Sequence, residues 1–387
     1  MTPRPLRILM VGDYEDDPRL GSAKVPHKLR EEFRAAGHEC DALFTGDLGS
    51  RPRGRHLRQL AGPILAARAI GRALALRSYD VVDVASAEGV WFGAARRLGQ
   101  RPGTVFICRS NGLEHRNYSR MLDDSRAGLT SKPWPRRIWY PVSRLSQVAG
   151  AARAADRLIV LTESDRQFAI DRRWQPHDRV HVVPHGVSGR FLAVASPSAT
   201  RGGGALFCGS WDHMKGIHYL VEAFNSLAAS GRPIPLTVLG PGHLPQHVLA
   251  AFSEAARPHV RVLSRVAEEQ VIDEYSRHDV LVFPSTYEGF GLVVLEAMSQ
   301  GLPVIAGPVG CAADLICDGK TGVIIPPRNS AALAEAVTRL MDAPAERARL
   351  GRNGAARVSA MSWRRTAEQT VDVYSAALAA RPGGLPH

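Results

Sequence analysis

Two carboxylates with seven residues between them, Glu288 and Glu296, bracket the part of this chain best equipped for chemistry. The stretch Asp279–Pro327 reads DVLVFPSTYEGFGLVVLEAMSQGLPVIAGPVGCAADLICDGKTGVIIPP. An apolar run ends at Pro284-Ser285, and an acidic, glycine-containing loop then opens a helical pattern with Glu296 in its second turn. At such a helix start the N–H groups of Phe290, Gly291 and Leu292 have no intrahelical acceptor. They can receive an anion, to which the helix dipole adds about 0.3–1 kcal/mol. Glycines at 289 and 291 let a ligand approach the backbone closely. Two carboxylates beside a diphosphate would repel it unless they face hydroxyl groups, so the pattern suits a ligand carrying both phosphates and sugars. Taken alone, the same residues also fit a solvated loop acid and an ordinary helix acid.

The elements that must position these residues follow from apolar periodicity. Short apolar runs alternate with helical stretches from Arg7–Val11 through Val180–Val183, which indicates βα units in a mostly parallel sheet. The pattern stops between Arg190 and Gly204, where the chain is small, polar and Gly-rich, a linker composition. It resumes at Leu206–Cys208 and continues through Val280–Phe283 and Val304–Ala306 to three C-terminal helices, the last at Trp363–Leu378. The expected architecture is α/β, two doubly wound domains with a cleft between them. Ligands of such sheets sit beyond the C-terminal ends of the strands.

Composition agrees. A chain of 387 residues with 45% hydrophobic and 6% aromatic side chains can fill two cores built largely from Ala, Leu and Val. No stretch is apolar enough to span a bilayer. Five cysteines, Cys40, Cys108, Cys208, Cys311 and Cys317, show no CxxC spacing, so neither a zinc site nor a disulfide framework is expected. The acidic pairs Asp16-Asp17 and Asp123-Asp124 are expected in solvated surroundings, and no metal cluster is expected. A net charge of +12 attracts anions without choosing among them.

The segment 279–327 resembles the signature of a large family of retaining GT-B glycosyltransferases, glycosyltransferase family 4 or "glycosyl transferases group 1". Sucrose synthases, mannosyltransferases and many lipopolysaccharide enzymes belong to it. The E-x7-E spacing, the FG(L) turn and the EAM…G-P-V-I run carry the resemblance. It implies the GT-B fold, two Rossmann-like doubly wound domains facing across a cleft. The implied boundaries are 1–188 for an acceptor-side domain, 189–204 for a linker and 205–362 for a nucleotide-sugar-binding domain. A helix at 363–380 would cross back to the first domain.

The resemblance also implies roles. Glu288 would hold the hydroxyls of the transferred sugar and Glu296 the ribose. Gly289, Phe290, Gly291 and Leu292 would offer backbone groups to sugar and diphosphate. Phe207–Gly216 resembles the first strand and loop of the donor domain, which makes Lys215 the cation on the diphosphate. Most relatives carry a basic residue where this chain has Ser210. Gly240, in Leu239-Gly-Pro-Gly242, matches the turn under the nucleotide. Gly21, in Leu20-Gly21-Ser22, corresponds to an acceptor-side loop whose N–H groups reach the diphosphate. Val183-Pro-His-Gly-Val187 resembles a P-N-G-V turn with His185 in the Asn position. Arg109–Arg116 resembles R-x-H-G-x-E with Asn111 in place of the histidine. Asn cannot carry a proton, but in the retaining members the leaving phosphate can take the acceptor's proton. The implied catalytic set is Glu288, Asn111 and Lys215, with His115 as an alternative to Asn111.

The donor is therefore expected to be a nucleotide-sugar, with no metal or other cofactor, and the acceptor a hydroxyl of a glycan, lipid or small molecule. Arginines between 51 and 77 lie beside Leu, Ile and Ala. They suit either a solvated helix face or peripheral contact with an anionic membrane. In the second case the acceptor is expected to be lipid-linked, as in cell-envelope assembly. No nucleic-acid motif accompanies the charge. The expected location is cytoplasmic, including the inner face of the membrane. A non-catalytic interaction protein of the same fold, or an isomerase or phosphorylase, remains the alternative.

Overall fold

The computed structural model describes residues 4–17, 21–50, 52–99, 103–129, 134–193 and 201–381. The chain divides into two compact units, Met1–His185 with Trp363–His387, and Gly186–Ser362.

In the first unit the strands are β1 (Arg7–Val11), β2 (Glu39–Leu43), β3 (Val81–Ala85), β4 (Val105–Arg109), β5 (Arg157–Val160) and β6 (Val180–Val182). All are parallel, in the order β2-β1-β3-β4-β5-β6. The second unit holds β7 (Ala205–Cys208), β8 (Leu236–Leu239), β9 (Val260–Leu263), β10 (Val280–Phe283), β11 (Val304–Ala306) and β12 (Val323–Ile324). These are also parallel, in the order β12-β11-β10-β7-β8-β9. Central strands such as VVDVA and VLVF are buried along their whole length, as parallel strands covered on both faces must be. Each unit is thus a Rossmann-like, doubly wound sheet. In the second, the order reverses between β7 and β10, so a ligand crevice belongs beyond the C-terminal ends of those two strands.

Strand positions follow the apolar runs to within a residue or two, and the differences from expectation lie in the helices. The first helix spans Gly21–Ala35, so Gly21 and Ser22 stand in its opening turn rather than in the expected acceptor-side loop. Val25, Leu29 and Phe33 are buried at four-residue spacing, and this packing carries the helix through Pro26 despite the N–H that proline lacks. A helix at Glu114–Arg126 was not evident from periodicity. It presents few apolar residues and is held by ion pairs instead, Arg116 to Asp165 at 2.8 Å and Arg120 to Asp124. Asp124 is accordingly buried, contrary to the solvated setting expected for the Asp123-Asp124 pair. Trp134–Ala154 is helical throughout but widens into a π segment at Pro141–Leu145, the place where proline removes a backbone donor. The expected linker contains a short helix, Gly189–Ala193, and residues 194–200 lie outside the described residues.

The helix Trp363–Ala379 belongs to the first unit and is pinned there by polar contacts. Thr366 Oγ1 donates to the Pro184 carbonyl at 2.9 Å, and the Tyr374 hydroxyl donates to Asp83. Asp83, 2% exposed, also receives Arg109 Nε at 3.0 Å and Nη2 at 2.6 Å. Deleting one member of such a buried pair strands the other charge. Asp83→Ala should cost about 3–5 kcal/mol, and Asp83→Ala with Arg109→Met should cost less than the sum of the single changes. Urea unfolding followed by tryptophan fluorescence checks both expectations.

Candidate functional site

In the second unit the loops that leave β7 and β10 are joined through their backbones. Thr286 N–H donates to the Met214 carbonyl at 2.9 Å. Gly216, at φ 72°, packs so tightly on Pro284 that an added Cβ would lie 2.0 Å from its carbonyl oxygen. Only glycine fits there, for reasons of both space and handedness. The Asp212 carboxylate caps the turn by accepting from Met214 N–H at 2.8 Å.

This junction puts Lys215 against Glu288, with Nζ to Oε1 at 2.6 Å, and Ser285 Oγ donates to the same oxygen at 2.9 Å. The Lys215 side chain is 19% exposed and that of Glu288 is 8% exposed. The stem of Lys215 lies beside Gly209, where an added Cβ would stand 3.8 Å from Cε. The loop after β11 supports the acidic turn from behind. Cys311 N–H donates to the Phe290 carbonyl at 2.6 Å, and a Cβ on Gly310 would come within 2.3 Å of that oxygen and 2.9 Å of Glu288 Cβ.

Gly289, Phe290 and Gly291 follow Glu288 directly. Gly291, at φ 92°, caps the helix Leu292–Ser299, and Leu292 is its first residue. Glu296, in the second turn, is 8% exposed and accepts from the Tyr275 hydroxyl at 3.2 Å. Burial, with Cys208 and Glu296 adding to it, pushes the Tyr275 hydroxyl well above its ordinary pKa, so it stays a donor. Gly240 ends β8 at φ 69°, and its turn is joined to the β7 loop by Trp211 N–H on the Pro241 carbonyl at 2.8 Å. Ser210, in the same loop, is exposed. The crevice at the strand-order reversal therefore gathers Lys215, Glu288 and the Gly289–Leu292 turn, with the Gly240 turn tied alongside.

Asn111 and Gly21 belong to the first unit. Asn111 follows β4, and its Nδ2 donates to the Tyr14 hydroxyl. Its Oδ1 is buried with no hydrogen-bond partner among the described residues. Tyr14 can fold over Gly12 because glycine has no Cβ, which would fall 2.3 Å from the ring. Burial, reinforced by Glu88, raises the Tyr14 hydroxyl pKa, so it holds its proton. His115 lies on the helix Glu114–Arg126, four residues beyond Asn111. It packs edge-on against Trp174 with ring centroids 4.7 Å apart, and burial lowers its pKa to about 4. Glu114 bonds Arg144 at 2.9 Å, which also reaches Glu88 at 2.8 Å. Tyr14 and Ser285 were missed in the sequence because neither belongs to a spaced pattern. Ser285 could have been found as the first side chain beyond the strand and proline. Among the described residues, no group of three His, Cys, Asp or Glu is placed to hold a metal ion, and all five cysteines are free thiols.

Two family profiles match in tandem, "Glycosyltransferase Family 4" over residues 21–188 and "Glycosyl transferases group 1" over 196–357. The chain belongs to the family 4 glycosyltransferases. Among family members it is 33% identical over 271 residues to a D-inositol 3-phosphate glycosyltransferase of Pseudarthrobacter chlorophenolicus, covering 66% of this chain and 62% of that one. An alpha-D-kanosaminyltransferase of Streptomyces kanamyceticus is 29% identical over 230 residues, 57% of this chain and 59% of that one. These matches span about six-tenths of either relative. The fold matches a sucrose-phosphate synthase from Thermosynechococcus elongatus with a TM-score of 0.73 at 23% identity, covering 97% and 100% of the two chains.

The family's P-N-G-V turn reads Pro184-His185-Gly186-Val187 here. His185 is 3% exposed and stacks at a tilt on Trp363, with ring centroids 5.3 Å apart. Burial, helped by Arg109, lowers its pKa from 6.5 to about 3. The unfolded chain therefore binds this proton more readily than the folded one. The stabilising contribution is complete above pH 6.5 and is lost as pH falls toward 3. His185→Asn should flatten the acid side of a stability-versus-pH curve between pH 6.5 and 4. Denaturant midpoints at half-unit steps of pH measure this.

Proposed function

We propose that this chain transfers a sugar from a nucleotide-sugar to an acceptor hydroxyl with retention of anomeric configuration. The observation that carries the reading is the pairing of a lysine and a glutamate at the strand-order reversal of the second unit, where Lys215 and Glu288 stand 2.6 Å apart. A cation there suits a diphosphate. A nearly buried carboxylate beside it suits sugar hydroxyls, which can donate to it.

In this reading Lys215 meets the charge that builds on the departing diphosphate. Glu288, Gly289, Phe290, Gly291 and Leu292 fix the sugar, and Glu296 receives the ribose hydroxyls. The acceptor oxygen bonds to the anomeric carbon on the face from which the diphosphate leaves. The carbon–oxygen bond to phosphate breaks, and a phosphate oxygen takes the acceptor's proton. Asn111 acts as a hydrogen-bonding group that positions sugar or acceptor, which agrees with its inability to carry a proton. One relative is named for D-inositol 3-phosphate and the other for the kanosaminyl group, so the acceptor stays a hydroxyl of a glycan, lipid or small molecule.

The stretch 51–77 supports action at a membrane surface. Its helix Arg55–Leu76 exposes Leu57, Leu60 and Ile64 together with Arg58, Arg68 and Arg72. The neighbouring turn carries exposed Val142, and Ile138 lies one helical turn before it. Among the described residues no helix is long and apolar enough to cross a membrane. Apolar side chains ringed by arginine suit the interface of an anionic bilayer, consistent with a lipid-linked acceptor at the cytoplasmic face.

A thermal-shift panel of UDP-, GDP-, ADP- and dTDP-sugars tests the donor site. One nucleotide at saturating concentration should raise Tm by about 5 °C or more, and Glu296→Ala should remove most of that shift. No shift with any donor would overturn the reading. Vesicle sedimentation tests the surface. Binding to phosphatidylglycerol vesicles should exceed that to phosphatidylcholine, and Leu60→Asp with Ile64→Asp should reduce it by about tenfold or more.

A further inference from the structure

Lys215 has an anionic partner within its own unit. Its Nζ bonds Glu288 Oε1 at 2.6 Å, and the Glu288 side chain is only 8% exposed. The loop beneath Lys215 is fixed by the Gly216–Pro284 packing, but its four-carbon stem can pivot beside Gly209. A diphosphate arriving in this crevice must compete with Glu288 for the same ammonium group.

We infer that Glu288 and the donor diphosphate share Lys215 in turn, and that this exchange makes the site prefer the intact nucleotide-sugar over the spent nucleoside diphosphate. The inference rests on the nucleotide-sugar reading of the site. When the whole donor binds, sugar hydroxyls donate to Glu288, the carboxylate is satisfied without its cation, and Lys215 is released to the phosphates. Once the sugar has gone, those hydroxyls leave with it. Ser285, itself 1% exposed, supplies one hydrogen bond to Oε1, too little for a carboxylate held away from water. Glu288 then draws Lys215 back, and the diphosphate loses its counter-charge and faces a carboxylate instead. Glu288 thus has a specificity role distinct from holding the sugar, and Ser285 is a positioning residue that lowers the demand of Glu288 for the lysine.

Titration calorimetry tests the exchange with UDP, GDP, ADP and dTDP, and with the corresponding nucleotide-sugars, on wild type and four variants. Glu288→Gln cannot form the ion pair and carries no charge. It should bind the preferred nucleoside diphosphate about tenfold tighter than wild type, while binding the nucleotide-sugar no tighter. Lys215→Met should weaken diphosphate binding, and the double variant Lys215→Met/Glu288→Gln should lose the gain, because the gain acts through the lysine. Ser285→Ala, which leaves Glu288 more dependent on Lys215, should shift diphosphate affinity the other way, by about threefold weaker binding. Glu288→Gln binding no tighter than wild type would overturn the exchange, as would a double variant that keeps the gain. Should Glu288→Gln fail to fold, unchanged or tighter binding by Ser285→Ala overturns it independently. Wild type that binds none of the nucleotides or nucleotide-sugars would overturn the underlying donor-site reading and the exchange with it. Wild type that binds them without the Glu288 effect overturns the exchange alone.

Discussion

The contact between Gly216 and the Pro284 carbonyl is the constraint on which the candidate site depends. Two strands brought together by the fold, β7 and β10, end in loops that must touch at their backbones, and a side chain at 216 would hold them apart. Because they touch, the last residue before Gly216 and the fourth after Pro284 fall within one ion pair. The charge on the lysine, the burial of the glutamate and the buttress from Gly310 and Cys311 each matter only after that approach. A conformational requirement at one glycine thereby becomes an arrangement of charge at a crevice.

The first unit is organised by a different kind of contact. Asp83, Arg109 and Tyr374 form a buried polar cluster that joins β3, β4 and the C-terminal helix. Its members are separated by up to 291 residues of chain, so the end of the sequence is stitched into the unit in which the sequence begins. Two residues beyond Arg109, Asn111 leans on the hydroxyl of Tyr14, which burial keeps protonated. That environment suits orientation by hydrogen bonding.

Much of this was legible in the sequence, for reasons that separate by type of interaction. The strands were readable because buried parallel strands are continuous apolar runs, as VLVF before Pro284 shows. The acidic turn from Glu288 to Leu292 was readable because glycines and a helix start leave a local signature. The helix Glu114–Arg126 was hidden because ion pairs to Asp165 and Arg144, far away in the chain, replace the apolar stripe that periodicity detects. The opening turn of the first helix was hidden because Gly21 and Ser22 carry no apolar periodicity. The partnership of Lys215 with Glu288, and the part taken by Ser285, could not be read at all. They arise from two loops 73 residues apart meeting in space.

Hydrogen–deuterium exchange with and without a saturating nucleotide-sugar tests the central claim most directly. Donor bound at the strand-order reversal of the second unit predicts slowed exchange in the backbone of 209–216 and 285–292, the two loops joined at Gly216. Binding that leaves both of those segments unprotected, with slowed exchange elsewhere, would contradict the account.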